Sequence, residues 1–156
     1  MAHPSVRIGV IADAHGYLDP RVPRIFAGVD HIIVAGDVVD EEIITTLSDV
    51  APVTAVHGVS DGEALAAGLP AEATGQVGGV SFAVGHSSGR LLNSLSAAEA
   101  RAGTEGSRPD LVVFGGTHAP SAVWIDGTLF LNPGTASSPD REDNDHLVAQ
   151  WLASGR

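Results

Sequence analysis

A chain of 156 residues with 44% hydrophobic content is long enough for one well-buried core and too short for two ordinary domains without an evident linker. Nineteen acidic residues against eight basic ones give a formal net charge of −11 at pH 7, which argues against nucleic acid as a main partner and against an anionic lipid surface. The absence of Cys excludes a disulfide framework and a thiolate metal site, so any metal must be held by His, Asp, Glu or Asn.

The N-terminus, Met1-Ala2-His3-Pro4-Ser5, has no basic leader region, and the apolar run after it is far shorter than a membrane span. The expectation is a soluble cytoplasmic protein with no membrane segment. Val6 to Ala12 is a short β-branched run that stops at Asp13-Ala14-His15-Gly16, the pattern of a fully buried strand that delivers polar groups at its carboxyl end. Pro20 to Ala27 predicts a helix with Pro20 near its first turn and Gly28 at its end. His31 to Ala35 predicts a second buried strand, which stops at Gly36-Asp37. Glu41 to Val50 has acidic residues in its first turn and apolar residues at 43, 44, 47 and 50, which is helical spacing with favourably placed charge.

Val53 to Val56 predicts a third strand, followed by the loop His57-Gly58-Val59-Ser60-Asp61. The repeated strand, loop and helix cadence argues for parallel crossover units. After an Ala- and Gly-rich connection, Val77 to Val84 carries a Gly78-Gly79 pair and reads as a hairpin entering a buried strand that ends at Gly85-His86-Ser87. Leu91 to Ala102 predicts a helix with Ser94 or Ser96 as its N-cap and Gly103 as its stop. Leu111 to Phe114, Ala122 to Ile125 and Thr128 to Leu131 predict strands, the last two joined by the turn Asp126-Gly127, and Leu147 to Leu152 adds a final strand.

Polar clusters therefore fall at successive strand ends, where ligands of open α/β sheets gather. Any one of them alone carries little weight, because an isolated His at a strand end is more often a hydrogen-bonded loop residue than a ligand. Their order is more specific. Asp13-Ala14-His15-Gly16, Gly36-Asp37, Gly58 to Asp61, Gly85-His86, Gly116-Thr117-His118 and Asn132-Pro133-Gly134-Thr135 follow one another as motifs do in the calcineurin-like metallophosphoesterases. The chain resembles the small bacterial and archaeal phosphodiesterases of that family from Ile11 to about Pro139.

The resemblance implies one α/β domain over residues 1–156, a sandwich of two mixed β-sheets flanked by helices. It also implies two adjacent metal ions that clamp a phosphate. Carried over position by position, the ligands of the first ion are Asp13, His15, Asp37 and His118, and all four are present. Two carboxylates and two imidazoles suit a divalent transition metal such as Mn, Fe, Zn or Co. The side chains private to the second ion fall on Val59, Val84 and Gly116, none of which can coordinate through its side chain. So clean a partition points to loss of one metal site rather than general erosion, and to about one ion per chain.

His57 and His86 stand beside the vacated positions and offer replacement imidazoles, although family members already carry a His where His86 stands. On this view Val59→Asn, Val84→His and Gly116→His together would restore a second ion. His3, His31 and His146 are assigned no role in the site, and Asp61 has a turn role as well as an orienting one. The expected activity is weakened hydrolysis of phosphate mono- or diesters, with a small phosphorylated molecule or phosphodiester as partner. The alternative is an inactive binding or scaffold protein on the same fold, in which a protein partner or a second copy replaces the substrate.

Overall fold

A computed structural model of the chain describes residues 5–102, 108–137 and 149–153. In chain order its elements are β1 (Val6–Ile11), α1 (Val22–Ile25), β2 (His31–Ala35), α2 (Glu41–Ser48), β3 (Val53–Val56), α3 (Glu63–Gly68), β4 (Glu72–Val77), β5 (Val80–Gly85), α4 (Ser88–Ala102), β6 (Leu111–Val113), β7 (Ser121–Ile125), β8 (Thr128–Asn132) and β9 (Ala149–Ala153). The strands form two sheets, one ordered β3-β2-β1-β9 and the other β4-β5-β6-β8-β7. Both are mixed. β1, β2 and β3 run parallel with β9 antiparallel at the edge, while β5, β6 and β8 run parallel between antiparallel β4 and β7.

Strand period explains the layering. Side chains alternate across a strand, so Val6, Ile8, Val10 and Ala12 of the first strand and Ile33 and Ala35 of the second meet Phe82, Val84, Leu111, Val113, Leu129 and Leu131 of the facing sheet. The intervening positions Ile11, Ile32 and Val34 pack outward on Val22, Phe26, Ile43 and Leu47 from the α1 and α2 side. On the far side of the second sheet, Ala83 and Val112 meet Leu91 of α4. Both faces of the central strands are buried, which is why they read as continuous apolar runs rather than alternating ones. The result is a two-sheet sandwich with helices outside.

Several local expectations need correction. α1 is only four residues long, with Pro23 rather than Pro20 in its first turn, and Gly28 follows in a left-handed conformation (φ 82°). α2 starts at Glu41 as expected, with the Asp40 side chain accepting the Glu42 N–H at 3.0 Å as an N-cap, but ends at Ser48 rather than Val50. α4 begins at Ser88, so neither Ser94 nor Ser96 is its N-cap; the early start brings Leu91 under the sheet. α3 and most of β4 were hidden in the Ala- and Gly-rich connection. β4 reads as polar because Gly75 interrupts it, and the structure supplies the reason: Gly75 pairs with Phe82, and a Cβ there would lie 2.5 Å from the Phe82 ring. His3 and His146 lie outside the described residues, as do 147 and 148 of the predicted last strand. Among the described residues no helix is long and apolar enough to cross a membrane.

Phe82 is 2% exposed and lies in the core between the sheets. Gly75→Val is therefore expected to lower stability by about 1–3 kcal/mol, the usual cost of overpacking a core, read as a fall in the urea midpoint at unchanged slope.

Candidate metal centre

Every loop of the site leaves the carboxyl end of a strand. The loop after β1 carries Asp13 and His15, and its backbone is stitched to the loop after β2 by Asp13 N–H to Gly36 O (3.1 Å), His15 N–H to Asp37 O (2.9 Å) and Gly16 N–H to Val38 O (2.8 Å). The loop after β6 is tied to the end of β5 by Gly115 N–H to His86 O (3.1 Å). The Asn132-Pro133-Gly134-Thr135 turn braces both sides. The Asn132 amide donates to Thr117 Oγ1 (2.8 Å), the Thr135 hydroxyl donates to Asp13 O (2.9 Å), and Ala136 N–H donates to Ala12 O (3.0 Å).

This framework holds unusual backbone. Asp13 (φ 54°), His15 (φ 49°), Asp37 (φ 52°) and His118 (φ 57°) all adopt left-handed conformations, as does the β-branched Val39 (φ 69°). Left-handed backbone is disfavoured for residues with a Cβ and persists only where surrounding structure imposes it. Among the described non-glycine residues, only Asp126 shares this conformation outside the site, in the tight turn between β7 and β8.

Asp13 is wholly buried. Its Oδ2 accepts the Gly116 N–H at 2.9 Å, while its Oδ1 is buried without any hydrogen-bond partner. Three imidazole nitrogens surround that oxygen: Nε2 of His118 at 3.4 Å, of His15 at 3.9 Å and of His86 at 4.0 Å. His15 and His118 bring their Nε2 atoms to 3.2 Å of each other, and His86 Nε2 lies 3.3 Å from Asp37 Oδ2. Ligands on a tetrahedral ion with bonds of about 2.0–2.1 Å stand roughly 3.3 Å apart, so these separations fit first-row metal coordination. Donor atoms of Asp13, His15 and His118, and of Asp13, Asp37 and His86, form two overlapping groups within which all lie within 4.8 Å of one another.

The surroundings orient these donors. His86 Nδ1–H donates to Ala35 O at 2.9 Å, leaving the lone pair of the neutral ring on Nε2, toward the carboxylates. Ser60, which had no sequence signal beyond its position, donates from its N–H to Asp37 Oδ1 (2.8 Å) and from its hydroxyl to Oδ2 (3.1 Å). Asp61 accepts Val39 N–H at 2.6 Å and Gly58 N–H at 2.7 Å, fastening two loops around Asp37. Gly58 must be a glycine because a Cβ would strike the Asp37 carboxylate.

The positions that the resemblance assigns to a second ion lie in different surroundings. Val84 is buried in the core between the sheets, and Val59 is 90% exposed. A Cβ on Gly116 (φ 80°) would sit 3.2 Å from His86 Nε2, a tight contact that a shift of a few tenths of an ångström in the His86 ring would relieve. His57 belongs to neither donor group and lies at the edge of the centre, near Gly58 and Val59. His31 is half-buried against Thr54 and Phe82, away from the site.

A two-sheet sandwich whose strand-end loops gather carboxylates and imidazoles defines a metallophosphoesterase-type protein. The comparisons agree: the family model described as the calcineurin-like phosphoesterase superfamily domain matches residues 6–151, and the chain belongs to that superfamily. A probable metallophosphoesterase of Methanocaldococcus jannaschii is 33% identical over 143 residues, covering 85% of this chain and 69% of that protein. Among solved structures, vacuolar protein sorting 29 from Cryptosporidium parvum has a TM-score of 0.69 at 21% identity over 95% of this chain and 84% of its own. An archaeal phosphodiesterase has a TM-score of 0.64 at 23% identity over 83% and 84% of the two chains. At these identities both structures speak to the fold.

Burial raises the Asp13 carboxyl above the usual carboxylate range; the Gly116 N–H, His86 and His118 oppose that shift, and Asp37 reinforces it. A raised folded-state pKa means that the stability contributed by the protonated acid is present at low pH and lost as pH rises through that value. Asp13→Asn, which cannot ionise, is thus expected to melt higher than the parent in metal-free protein at pH 8, with the gap narrowing toward pH 4. A lower melting temperature for the variant at pH 8 would contradict the assignment. Asp61→Ala removes the acceptor of two part-buried N–H groups, those of Val39 and Gly58, at about 0.5–1.5 kcal/mol for each hydrogen bond lost. Calorimetry should show a matching loss of stability.

Proposed function

We propose that the protein is a metal-dependent phosphoesterase with a mononuclear centre held by Asp13, His15, Asp37 and His118, with His86 as an added donor. The observation that carries this reading is the buried, unpartnered Oδ1 of Asp13 with three imidazole nitrogens converging on it. A buried carboxylate oxygen without a hydrogen bond is costly unless a cation takes its place. A divalent ion such as Mn, Fe, Zn or Co supplies Lewis-acid polarisation of a phosphoryl oxygen and lowers the pKa of water. The chain's own residues do the rest. Asp13 and Asp37 balance positive charge, Ser60 and Gly116 hold those carboxylates in place, and the Ala35 carbonyl sets the tautomer of His86.

Phosphate mono- or diesters are the substrate class that family membership and this donor set support. With no side-chain donors at Val59, Val84 and Gly116, the attacking and leaving oxygens are not both clamped, and turnover is expected to be weak. A second reading, a binding or scaffold role, draws on Val39 and Val59, which are 45% and 90% exposed near the mouth of the site. The likeness to vacuolar protein sorting 29 is compatible with it. Hydrolysis of bis(p-nitrophenyl) phosphate that vanishes in Asp13→Asn favours the enzyme, and a metal-loaded protein without turnover favours the scaffold.

Elemental analysis of protein purified without chelator should find about one ion per chain. Asp13→Asn should lose it, and His86→Ala should bind it about 10–100-fold more weakly, on the scale at which centre-orienting residues affect metal affinity. Two tightly held ions in the parent protein would sink the single-ion centre.

A further inference from the structure

The five donors of the centre do not close on one point. Two donors on a single ion stand at most about 4.2 Å apart, twice a bond of about 2.1 Å. Here the donors sort into two groups of three that share Asp13: Asp13, His15 and His118, and Asp13, Asp37 and His86. In the first group the two imidazole nitrogens are 3.2 Å apart and lie 3.4 and 3.9 Å from Asp13 Oδ1. In the second, His86 Nε2 lies 3.3 Å from Asp37 Oδ2 and 4.0 Å from Asp13 Oδ1. Asp13 has that one oxygen to offer, because the Gly116 N–H holds Oδ2.

The two groups differ in chemistry. The first offers two imidazoles and one carboxylate and opens to solvent, with the His15 and His118 side chains 29% and 44% exposed. The second offers two carboxylates and one imidazole, all of them buried. Imidazole suits zinc and its neighbours, whereas carboxylate oxygen suits manganese and magnesium. His86 is also oriented as a ligand. Its Nδ1–H is committed to Ala35 O, so the lone pair of the neutral ring faces two carboxylates, an arrangement that a cation between them relieves. Asp13 and Asp37 together balance one dication, and two dications drawn to a single shared oxygen would repel strongly.

We infer that the centre gives its single ion two alternative seats that share Asp13 Oδ1, and that the hardness of the metal chooses between them: zinc sits with His15 and His118, manganese with Asp37 and His86. The inference rests on the mononuclear reading above for there being one ion. The choice has a consequence at the mouth of the site. With manganese in the buried seat, the exposed imidazoles of His15 and His118 are left open to solvent.

The test loads metal-free parent protein with zinc or manganese alone and counts the imidazoles on each ion by X-ray absorption. Two on zinc and one on manganese are expected, and the same pair or the same single imidazole on both metals overturns the inference. This count needs no variant, so it stands even if His86→Ala fails to fold. Calorimetric titration gives a second reading. His118→Ala should cost zinc at least about tenfold more affinity than it costs manganese, and His86→Ala the reverse, within the range of about 10–100-fold by which centre residues affect metal binding. Equal losses for the two metals in both variants mean one common seat, which overturns the inference and leaves the mononuclear centre standing. Zinc added to manganese-loaded protein should displace it one for one; protein that holds both ions at once overturns the sharing of Asp13 and the single-ion reading with it. Failure to bind either metal removes the centre and the inference together.

Discussion

The site depends on one unfavourable act: burying the Asp13 carboxylate with only one of its oxygens hydrogen-bonded. Desolvation disfavours the charged form, and the fold does not relieve it by turning the side chain toward solvent or adding a second donor. Instead the surroundings fix the carboxylate where it is. Thr135 and Ala136 hold the backbone around it, Gly116 holds Oδ2, and the two parallel loops after β1 and β2 are locked edge to edge. The oxygen left over faces three imidazoles, which is the geometry of a cation site and is poorly suited to a packed core.

Much of the architecture was legible because the central strands are short, β-branched and buried on both faces. β2 and β3 match their predicted ranges, and β1 matches within a residue, since nothing competes with a continuous apolar run that ends at a polar turn. β4 escaped notice because its inward position beneath Phe82 must be a glycine, which erases the apolar alternation that marks a strand. α1 was overextended because a proline signals the neighbourhood of a helix start and not its register.

Asp13, His15, Asp37 and His118 are the positions that the family resemblance singles out, and the structure places their donor atoms near one another and near His86. The supporting contacts were not readable. Ser60 on Asp37 spans 23 residues, and Asn132 on Thr117 joins two loops through side chains of ordinary composition. Such contacts come from the folding of two sheets against each other, and no local pattern encodes them.

His86 is the position at which the sequence alone leaves two accounts open. Gly116 and His86 are neighbours: a Cβ at 116 would lie 3.2 Å from His86 Nε2, and the His86 Nδ1–H is anchored to the Ala35 carbonyl. On that side an imidazole nitrogen of His86 faces Asp37 Oδ2 at 3.3 Å. Energetics bear on the scaffold alternative. A left-handed residue with a Cβ costs about 1–2 kcal/mol, and four such residues at the centre consume a sizeable part of the roughly 5–15 kcal/mol that stabilises an ordinary domain. A surface used only for docking requires neither that strain nor a buried orphan oxygen, whereas a cation held among these residues would offset both. The exposed Val39 and Val59 can serve a partner or a substrate equally, so the buried half of the site, rather than its rim, separates the two accounts.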